Sequence, residues 1–228
     1  MPNVNKTIAS LNSLAAEMSL LKHPFYQQWT AGTLSAQRLR NYAIQYYRHV
    51  AAFPRYLSAL HSRCDDLETR QVLLENLIDE ERGAENHPEL WLKFAEALGV
   101  TRDEVLTAEP LPAAKTLMAT FDRLSRDLPL SAGLRALYVY ESQVAEVASA
   151  KIDGLKRFYG FPDDAEDGDD ANADGVKFFT VHRNDDPHHA QAVAQLIERY
   201  GMRPDDRAIA LEAGRAALQA VWDLLDCV

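Results

Sequence analysis

Two histidines and an aspartate recur at helical spacing in the segment FFTVHRNDDPHH, which covers residues 178–189. His182, Asp186 and His189 are separated by four and then three residues, so on an α-helix their side chains lie within roughly 40° of one another around the axis. Imidazole nitrogen and carboxylate oxygen together suit iron, manganese or zinc. The spacing therefore favours a metal-binding helix face, although His and Asp are also common on solvated helix surfaces.

Pro187 lies inside this stretch and complicates the geometry. A proline within a helix lacks the backbone donor, and its ring clashes with the carbonyl four residues earlier. We expect either a kink or a new helix beginning at Pro187, with Asp186 as its N-cap and so less free to bind metal. Asp185 and His188 would then be the substitutes, at less favourable helical angles.

Two further segments contain carboxylate and imidazole groups that suit a metal site. Glu80 and His87 are seven residues apart, and on one continuous helix they would project about 20° apart. Glu141 lies in an otherwise apolar helical pattern, where a carboxylate is costly to bury unless it is paired or binds a metal. With the three residues above, three helices would supply the six ligands of a carboxylate-bridged dinuclear site. The structural alternatives are an ion pair of Glu141 with Lys151 or an arginine, and a capping role for His87 beside Pro88.

The elements that position these residues are predicted to be helices. Apolar residues recur at helical period in nearly every segment, and we find no alternating strand pattern with hairpin turns. We predict an all-α, up-down bundle of about seven to eight helices that forms one domain over residues 1–228. A helix should begin after His23 and Pro24, Ser35 should cap a long helix, and Pro54 should kink or divide that helix.

Two long helices should hold most of the candidate site. One is predicted over residues 67–98, divided at Pro88. Another should run from Ser131 to Tyr159. Lys151 follows Glu141 by ten residues, so on a single helix it lies on roughly the same side and about 15 Å along the axis.

An acidic stretch, FPDDAEDGDDANADG, precedes the histidine-rich segment and predicts a mobile solvated loop at residues 162–175. From Asp170 to Gly175 the residues follow the D-x-N-x-D-G order of a calcium-binding loop. The closing glutamate of such a loop would fall at Val181, so a calcium site is disfavoured.

Composition limits the partners. The chain has 34 acidic and 24 basic residues, and its net charge of −10 argues against a nucleic acid or an anionic membrane as partner. No apolar run approaches the roughly 20 residues of a membrane span, and the first residues lack a secretory signal, so we expect a cytoplasmic protein. Cys64 and Cys227 fit reduced thiols in a reducing compartment, and neither has the neighbouring base that a nucleophilic cysteine needs.

Motifs along nearly the whole chain resemble those of a known family. They are HPFYQQW, QYY, AFPRYLSALHS, LLENLIDEE, NHPELW, LYVYE, KIDGLKRFYG and FFTVH. They are similar to the CADD family, whose name records a chlamydia protein associating with death domains and whose wider relatives include TenA and PqqC. The resemblance implies the compact helical bundle of haem oxygenase without haem. It also implies an oxidase that uses two metal ions (Fe/Fe or Fe/Mn), O₂ and an external reductant. Matched by motif, the implied ligands are Glu80, His87, Glu141, His182, Asp186 and His189.

The resemblance also implies a role in para-aminobenzoate supply for folate synthesis, by a self-sacrificing reaction. The ring would come from the protein's own Tyr26, in HPFY, and the amino group from Lys151, in AKIDG. Without the resemblance, Tyr26 would be interpreted as a core aromatic residue and Lys151 as a surface cation. A phenol near an O₂-activating centre is readily oxidised, and burial would favour the neutral, nucleophilic form of Lys151. Neighbouring phenols could relay or compete for the oxidising equivalent: Tyr42, Tyr46, Tyr47, Tyr138 and Tyr140.

Other functions remain open at this point. A metal-free cofactor-biosynthesis enzyme of the TenA or PqqC kind would use the same bundle, and a haem enzyme with His23 as axial ligand is a variant of it. A protein-interaction module that binds death-domain helices belongs to a different class. The chain could also act as a homodimer. A measurement of metal content would separate the first group from a dimetal oxidase. The haem variant is disfavoured because three carboxylates suit metal ions better than a porphyrin.

Overall fold

The computed structural model describes residues 4–162, 171–199 and 204–228 of this protein. Within these ranges, side chains are described except those at residues 4–6, 171–173, 185–189, 198–199 and 204–207. Every regular element in the described ranges is helical, which confirms the predicted all-α class.

The described ranges contain eleven α-helices, more than the seven to eight that the sequence predicts. The helices are α1 (Val4–Glu17), α2 (Pro24–Thr30), α3 (Ala36–Ser62), α4 (Leu67–Glu81), α5 (His87–Ala97), α6 (Arg102–Thr107), α7 (Pro112–Arg126), α8 (Leu130–Glu141), α9 (Val144–Phe158), α10 (Ala171–Arg199) and α11 (Pro204–Cys227). A single 3-10 turn, Leu20–Lys22, connects α1 to α2. The predicted number was too small because two long helical patterns, residues 67–98 and 131–159, each fold as two helices, and because the chain also forms short helices such as α6.

Side-chain caps set the starts of several helices, as their sequences predict. Nδ1 of His23 accepts the backbone N–H of Phe25 at 3.0 Å, so α2 begins at Pro24. Ser35 caps α3 through a 3.2 Å hydrogen bond from the third helical N–H. Thr101 begins α6 with a capping box. Each cap satisfies a backbone donor that the first helical turn leaves without an internal partner.

The pattern predicted over residues 67–98 folds as two helices separated by a turn. Gly83 adopts a positive φ of 82° in this turn, a conformation that glycine accepts at little cost. Asn86 caps α5: its Oδ1 accepts the N–H of Glu89 at 3.0 Å, and its Nδ2 donates to the carbonyl of Gly83 at 2.9 Å. Pro88 lies in the first turn of α5, where its missing N–H removes no helical hydrogen bond.

The single helix predicted from residue 131 to 159 is also two helices, α8 and α9. Gln143 lies between them, and its Oε1 accepts the backbone N–H of Leu20 at 2.8 Å. This buried, long-range hydrogen bond fixes the break at a point where the sequence contains no proline or glycine. The predicted placement of Lys151 along the same helix as Glu141 is therefore wrong.

Of the two predicted effects of the internal prolines, a kink or a division of the helix, division does not occur. α3 runs without interruption from Ala36 to Ser62 and includes Pro54, so this helix is not divided there. α10 likewise spans Pro187, and no new helix begins at that residue.

The acidic loop predicted at residues 162–175 is shorter at its C-terminal end, because α10 already begins at Ala171. Asp174 pairs with a lysine of α5 at 3.0 Å. Gly175 packs so closely on α5 that an added Cβ would lie 2.6 Å from an α5 side chain. These contacts dock the first turn of α10, while residues 163–170 lie outside the described part of the chain.

The bundle is arranged around α3, which packs against α4, α5, α6, α7 and α8. α10 covers α5, α8 and α9, and α11 covers α7 and α8. Large rings fill the centre, among them Trp29, Tyr42, Trp91 and Phe94, each fully buried. None of the helices that the structure describes has the length and apolarity needed to cross a membrane.

Candidate active site

Three buried side chains from three helices converge on one point. Glu80 lies in the last turn of α4, His87 is the first residue of α5, and His182 lies in the middle of α10. One potential ligand atom from each residue lies within 4.8 Å of the other two. Two imidazole nitrogens and a carboxylate oxygen form a donor set that suits iron, manganese or zinc.

The turn between α4 and α5 brings Glu80 against His87. Nδ1 of His87 lies 2.7 Å from Oε2 of Glu80. The two residues were predicted to share one helix face, and that prediction is wrong because the chain changes direction between them. The two side chains are nevertheless close together, because the turn between α4 and α5 brings them into contact. The alternative role of His87 as a cap is taken by Asn86.

His182 is held with one nitrogen directed at its own helix. Its Nδ1 lies 2.7 Å from the carbonyl oxygen of Phe178. A carbonyl oxygen only accepts, so Nδ1 carries the proton and Nε2 keeps its lone pair. Histidines that bind a metal through one ring nitrogen are commonly oriented by a hydrogen bond of this kind from the other ring nitrogen. The rings of His182 and His87 have centroids 4.4 Å apart.

Glu141 is the last residue of α8 and contributes to the same cavity wall as Glu80 and His182. Its Oε1 accepts a 2.9 Å hydrogen bond from Nδ2 of Asn76. Glu141 is thus near the three converging residues without belonging to their tight group of ligand atoms. The side chains of Asp186 and His189, the two remaining predicted ligands, lie outside the described part of the chain.

The described residues fit a bound divalent cation. Glu80 and Glu141 are each 5% exposed, and the two histidines are 3% and 9% exposed. Two carboxylates in one buried space are costly unless a positive charge balances them. Neutral imidazoles beside them add nitrogen donors that bind transition metals. The arrangement is therefore suited to one or two such ions.

Lys151 is buried on the same cavity, on α9. Its Nζ donates a 2.7 Å hydrogen bond to Oη of Tyr42. Within the described residues Lys151 forms no ion pair, so the alternative of an ion pair between Lys151 and Glu141 is not observed. Desolvation by burial lowers the pKa of Lys151 from 10.5 to about 7. A substantial share of this amine is therefore neutral near pH 7.

Tyr26 lies beside this amine. The centroid of its ring is 5.4 Å from Nζ of Lys151, and its Oη lies 3.4 Å from Oη of Tyr42. Burial raises the pKa of both phenols, so both stay protonated. Tyr42 thus joins the amine and the Tyr26 phenol in one hydrogen-bonded group. Nε1 of Trp29 donates to the carbonyl of Lys151 at 3.2 Å and fixes α2 against α9.

The other predicted phenols divide into two sets. Tyr46 and Tyr140 line the cavity, and their hydroxyl oxygens are 2.7 Å apart, next to Glu141. Tyr138 faces another way and donates to Oδ1 of Asn12 at 2.7 Å. Tyr47 is buried but is absent from the described cavity wall. Of these four, Tyr46 and Tyr140 share the described cavity wall with Tyr26.

Two site residues were missed at the sequence level. His49 lines the cavity among Tyr46, Phe121 and Tyr140, and burial lowers its pKa to about 3. Asn76 holds Glu141. The signal for His49 was its place on the buried face of α3, three residues after Tyr46. Asn76 gave a weaker signal, as a polar residue one turn before Glu80.

The cavity that joins these groups encloses about 660 Å³ of empty space, which includes space open to solvent at its mouth. One part of its wall is polar and the rest is apolar. The polar and aromatic lining residues are Tyr26, Tyr46, His49, Glu80, Tyr140, Glu141, Lys151 and His182. The apolar part includes Leu20, Val50, Phe53, Val144, Val147 and Ala148.

The residues considered for rival functions have other contacts. His23 uses Nδ1 to cap α2, and its Nε2 lies 3.1 Å from Oδ1 of Asp226, so both nitrogens of this proposed haem ligand are engaged. Cys64 is buried with its Sγ 3.6 Å from the carbonyl of Asp66, and Cys227 is exposed at the end of α11. Neither cysteine belongs to the described cavity wall.

A helical bundle with a partly polar cavity between its central helices defines the class of protein. The model of the TENA/THI-4/PQQC family matches residues 11–199, and the chain belongs to this family. In three dimensions the chain is similar to a TenA homolog from Pseudomonas syringae pv. tomato, with a TM-score of 0.80 and 19% identity, covering 97% of this chain and 90% of that one. The predicted TenA-like and haem-oxygenase-like fold is thereby confirmed.

Relatives with higher identity are more specific. The chain is 44% identical to the 4-aminobenzoate synthase of Chlamydia muridarum over 216 residues, which cover 95% of this chain and 87% of the relative. It is 42% identical to the 4-aminobenzoate synthase of Nitrosomonas europaea over 225 residues, which cover 95% of this chain and 88% of the relative. The predicted resemblance to the CADD group within the family is confirmed.

Proposed function

We propose that this protein forms 4-aminobenzoate by consuming its own Tyr26 side chain at a site for two metal ions. The observation that carries the proposal is that the Tyr26 phenol, the Lys151 amine and the carboxylates of Glu80 and Glu141 line one buried cavity. The relatives named 4-aminobenzoate synthase support the same product.

The residues that would hold the ions come from both the geometry and the family resemblance. Geometry supports Glu80, His87, Glu141 and His182, and the resemblance adds Asp186 and His189. This set of oxygen and nitrogen donors suits Fe/Fe and Fe/Mn pairs alike. When bound, the ions would activate dioxygen for oxidation of a phenol, with further electrons from an external reductant.

The carbon skeleton of tyrosine suits the product. Beyond Cα, the side chain is a benzene ring with one attached carbon and an oxygen in the para position. 4-Aminobenzoate has the same skeleton, with a carboxyl group and a nitrogen at these positions. The conversion breaks the Cα–Cβ bond of Tyr26, which leaves a residue without its side chain at position 26, and oxidises Cβ to the carboxyl group. Nζ of Lys151 replaces the phenol oxygen on the ring: the oxygen leaves as water, the Cε–Nζ bond is cleaved, and Cε of residue 151 is left oxidised to an aldehyde. Dioxygen is the electron acceptor, and it leaves reduced to water.

Lys151 is the nitrogen source that the geometry supports. Its Nζ lies 5.4 Å from the centroid of the Tyr26 ring and is held by the Tyr42 hydroxyl. Because burial lowers its pKa to about 7, a neutral amine with an available lone pair is well populated near neutral pH. Proximity inside the cavity makes the encounter of amine and ring intramolecular.

The surrounding residues protect and direct this reaction. The ring centroids of Phe179 and Trp91 lie 4.9 Å and 5.8 Å from Nζ of Lys151. These buried rings exclude water from the amine. Tyr42, hydrogen-bonded to Tyr26, and the Tyr46 and Tyr140 pair on the same cavity are the phenols that would compete with Tyr26 for oxidation.

The experiment compares the wild-type protein with Tyr26→Phe and with Tyr56→Phe. Tyr56 is a buried tyrosine of α3 that stacks on Phe121 outside the described cavity wall, so it is a matched control. Each protein is loaded anaerobically with Fe(II), with and without Mn(II), and then receives reductant and O₂. Mass spectrometry measures 4-aminobenzoate and the intact protein. We expect product and loss of side-chain mass at position 26 in the wild type and in Tyr56→Phe, and neither in Tyr26→Phe.

Other outcomes separate the alternatives. Wild-type product yield from Tyr26→Phe would contradict self-sacrifice at this residue. Metal uptake and O₂ consumption without product would support a dimetal oxidase whose substrate is external. A protein that takes up no metal would support the metal-free TenA or PqqC type of enzyme.

A further inference from the structure

Asn76 is a buried amide that contacts the candidate metal site through a hydrogen bond to Glu141. It lies on the buried stripe of α4, one turn before Glu80, and is 3% exposed. Its Nδ2 donates a 2.9 Å hydrogen bond to Oε1 of Glu141, which belongs to α8. Asn76 is absent from the described wall of the cavity, so it can act on a ligand there only through Glu141.

The orientation of this amide is fixed by Glu141. Only the NH₂ group of an asparagine can donate to a carboxylate, so Oδ1 must face the other way. Within the described part of the chain, Oδ1 is buried and has no hydrogen-bond partner. A buried acceptor without a donor destabilises the folded protein. A leucine at position 76, like Leu73 one turn earlier on the same stripe, would avoid that cost. Stability alone does not account for an amide at this position.

The chemistry of the donor explains the choice. A neutral amide orients a carboxylate without cancelling its charge, whereas a lysine or arginine would neutralise the carboxylate and repel a cation. Glu141 is also the last residue of α8, where the partial negative charge of the helix end disfavours a carboxylate. A neutral donor on a neighbouring helix stabilises Glu141 there and leaves its negative charge available.

The geometry points to Asn76 as a positioning residue that holds Glu141 in the orientation in which it binds metal. Neighbouring turns of α4 then set two carboxylates: Glu80 directly, and Glu141 through the Asn76 amide. The inference rests on the proposed function in that it assumes a metal ion at this site. It extends that function by making α4 responsible for a ligand on α8.

The test is Asn76→Leu, which has nearly the same volume but no donor, studied with Co(II) as the probe. Co(II) affinity is measured by titration, and the visible absorption bands are recorded at saturation, because they report the ligands and geometry around the ion. We expect the affinity to fall by about 10- to 100-fold, as for other residues that orient metal ligands. We also expect the bands of the saturated protein to shift. A variant that was only less stable would keep the wild-type bands once saturated.

Two further variants make the result decisive. Leu73→Ala loosens the same stripe of α4 but leaves the hydrogen bond from Asn76 to Glu141 in place, and its saturated spectrum should match the wild type. Asn76→Asp keeps the shape but replaces the donor with an acceptor, and it should shift the bands even if Asn76→Leu fails to fold. Wild-type affinity and bands in both Asn76 variants, or an equal band shift in Leu73→Ala, would overturn the inference and leave the proposed function intact. Absence of Co(II) binding by the wild type would overturn both.

Discussion

The Lys151 amine is the least usual single group in the cavity. It is 6% exposed, it lies among aromatic rings, and its hydrogen-bond partner is a neutral phenol. A buried amine without a carboxylate partner is costly in its charged form. The buried charge therefore costs stability at the residue that would supply the amine in the proposed reaction.

The pH dependence of stability should reveal this cost. The pKa of Lys151 is about 7 in the folded protein and 10.5 when exposed, so between these values the unfolded chain binds the additional proton. Stability should therefore rise as pH increases from about 7 to about 10.5, by roughly 3–5 kcal/mol in total from this group. Below pH 7 both states are protonated, and the full cost of burying the charge is present.

Lys151→Met tests this expectation. The variant should be more stable than the wild type below pH 7, and its stability should rise less between pH 7 and pH 10.5. It should retain bound metal but form no 4-aminobenzoate. Urea unfolding at a series of pH values gives the measurement, with Lys156→Met on the same helix as the control. Parallel pH profiles for wild type and Lys151→Met would show that the amine is solvated.

Residue types and spacing predicted part of the site. His182, Glu80 and His87 were selected by helical spacing, which for Glu80 and His87 was the wrong reason because they lie on two helices. Glu141 was selected because a carboxylate among apolar residues is costly to bury unless it is paired or binds a metal. Tyr26 and Lys151 came only from the family resemblance, since a single tyrosine or lysine forms no pattern. Asn76 and His49 were missed because their importance depends on contacts between helices that are distant in the sequence.

At the level of elements, the turn between α4 and α5 determines how two ligands meet. Glu80 ends one helix, His87 begins the next, and Asn86 both caps α5 and bonds back to the carbonyl of Gly83. The local cap and the metal site are therefore coupled. Loss of the cap should loosen the ligand pair as well as the helix.

Asn86→Ala should show this coupling. It should destabilise the protein by about 1 kcal/mol, the typical value of an N-cap. It should also weaken metal binding, because the turn no longer holds His87 against Glu80. Thermal unfolding of the metal-free protein and a Mn(II) titration measure the two effects.

Thr101→Ala removes the capping box of α6, at the other end of α5, and is a control with a similar cost in stability. It should leave Mn(II) affinity unchanged. Equal losses of affinity in the two variants would mean that metal binding follows general stability and not this turn.

Helix type was predictable from the sequence, and helix ends were less so. Caps within a few residues of a helix act locally, and Ser35 was predicted from residue type. The break between α8 and α9 depends on a hydrogen bond from Leu20 to Gln143, across 123 positions of sequence. No local pattern contains that information, so the two helices were predicted as one.

For the whole molecule, the candidate ligands lie on α4, α5, α8 and α10, which extend over more than 100 residues of sequence. Ions bound at this site would connect helices from distant parts of the chain. Binding to the folded state alone stabilises a protein by mass action. Metal should therefore stabilise the entire bundle.

Thermal unfolding with Mn(II) or anaerobic Fe(II) should show this effect. At about 100 times the dissociation constant, each site should raise the melting temperature by roughly 5–10 °C in a chain of this size. A chelator should reverse the rise. Glu141→Ala and His182→Ala should remain helical by circular dichroism and show no rise. A full metal-dependent rise in either variant would reject that residue as a ligand.

The origin of the product atoms tests the central claim most directly. Protein would be produced with ring-¹³C tyrosine and ¹⁵N lysine, purified, loaded with metal, and supplied with reductant and O₂ in unlabelled buffer. The account predicts 4-aminobenzoate that carries both the ¹³C ring and the ¹⁵N, with the matching losses located at Tyr26 and Lys151 by peptide mass spectrometry. Unlabelled 4-aminobenzoate from an intact protein would contradict it and show that ring and nitrogen come from molecules outside the chain.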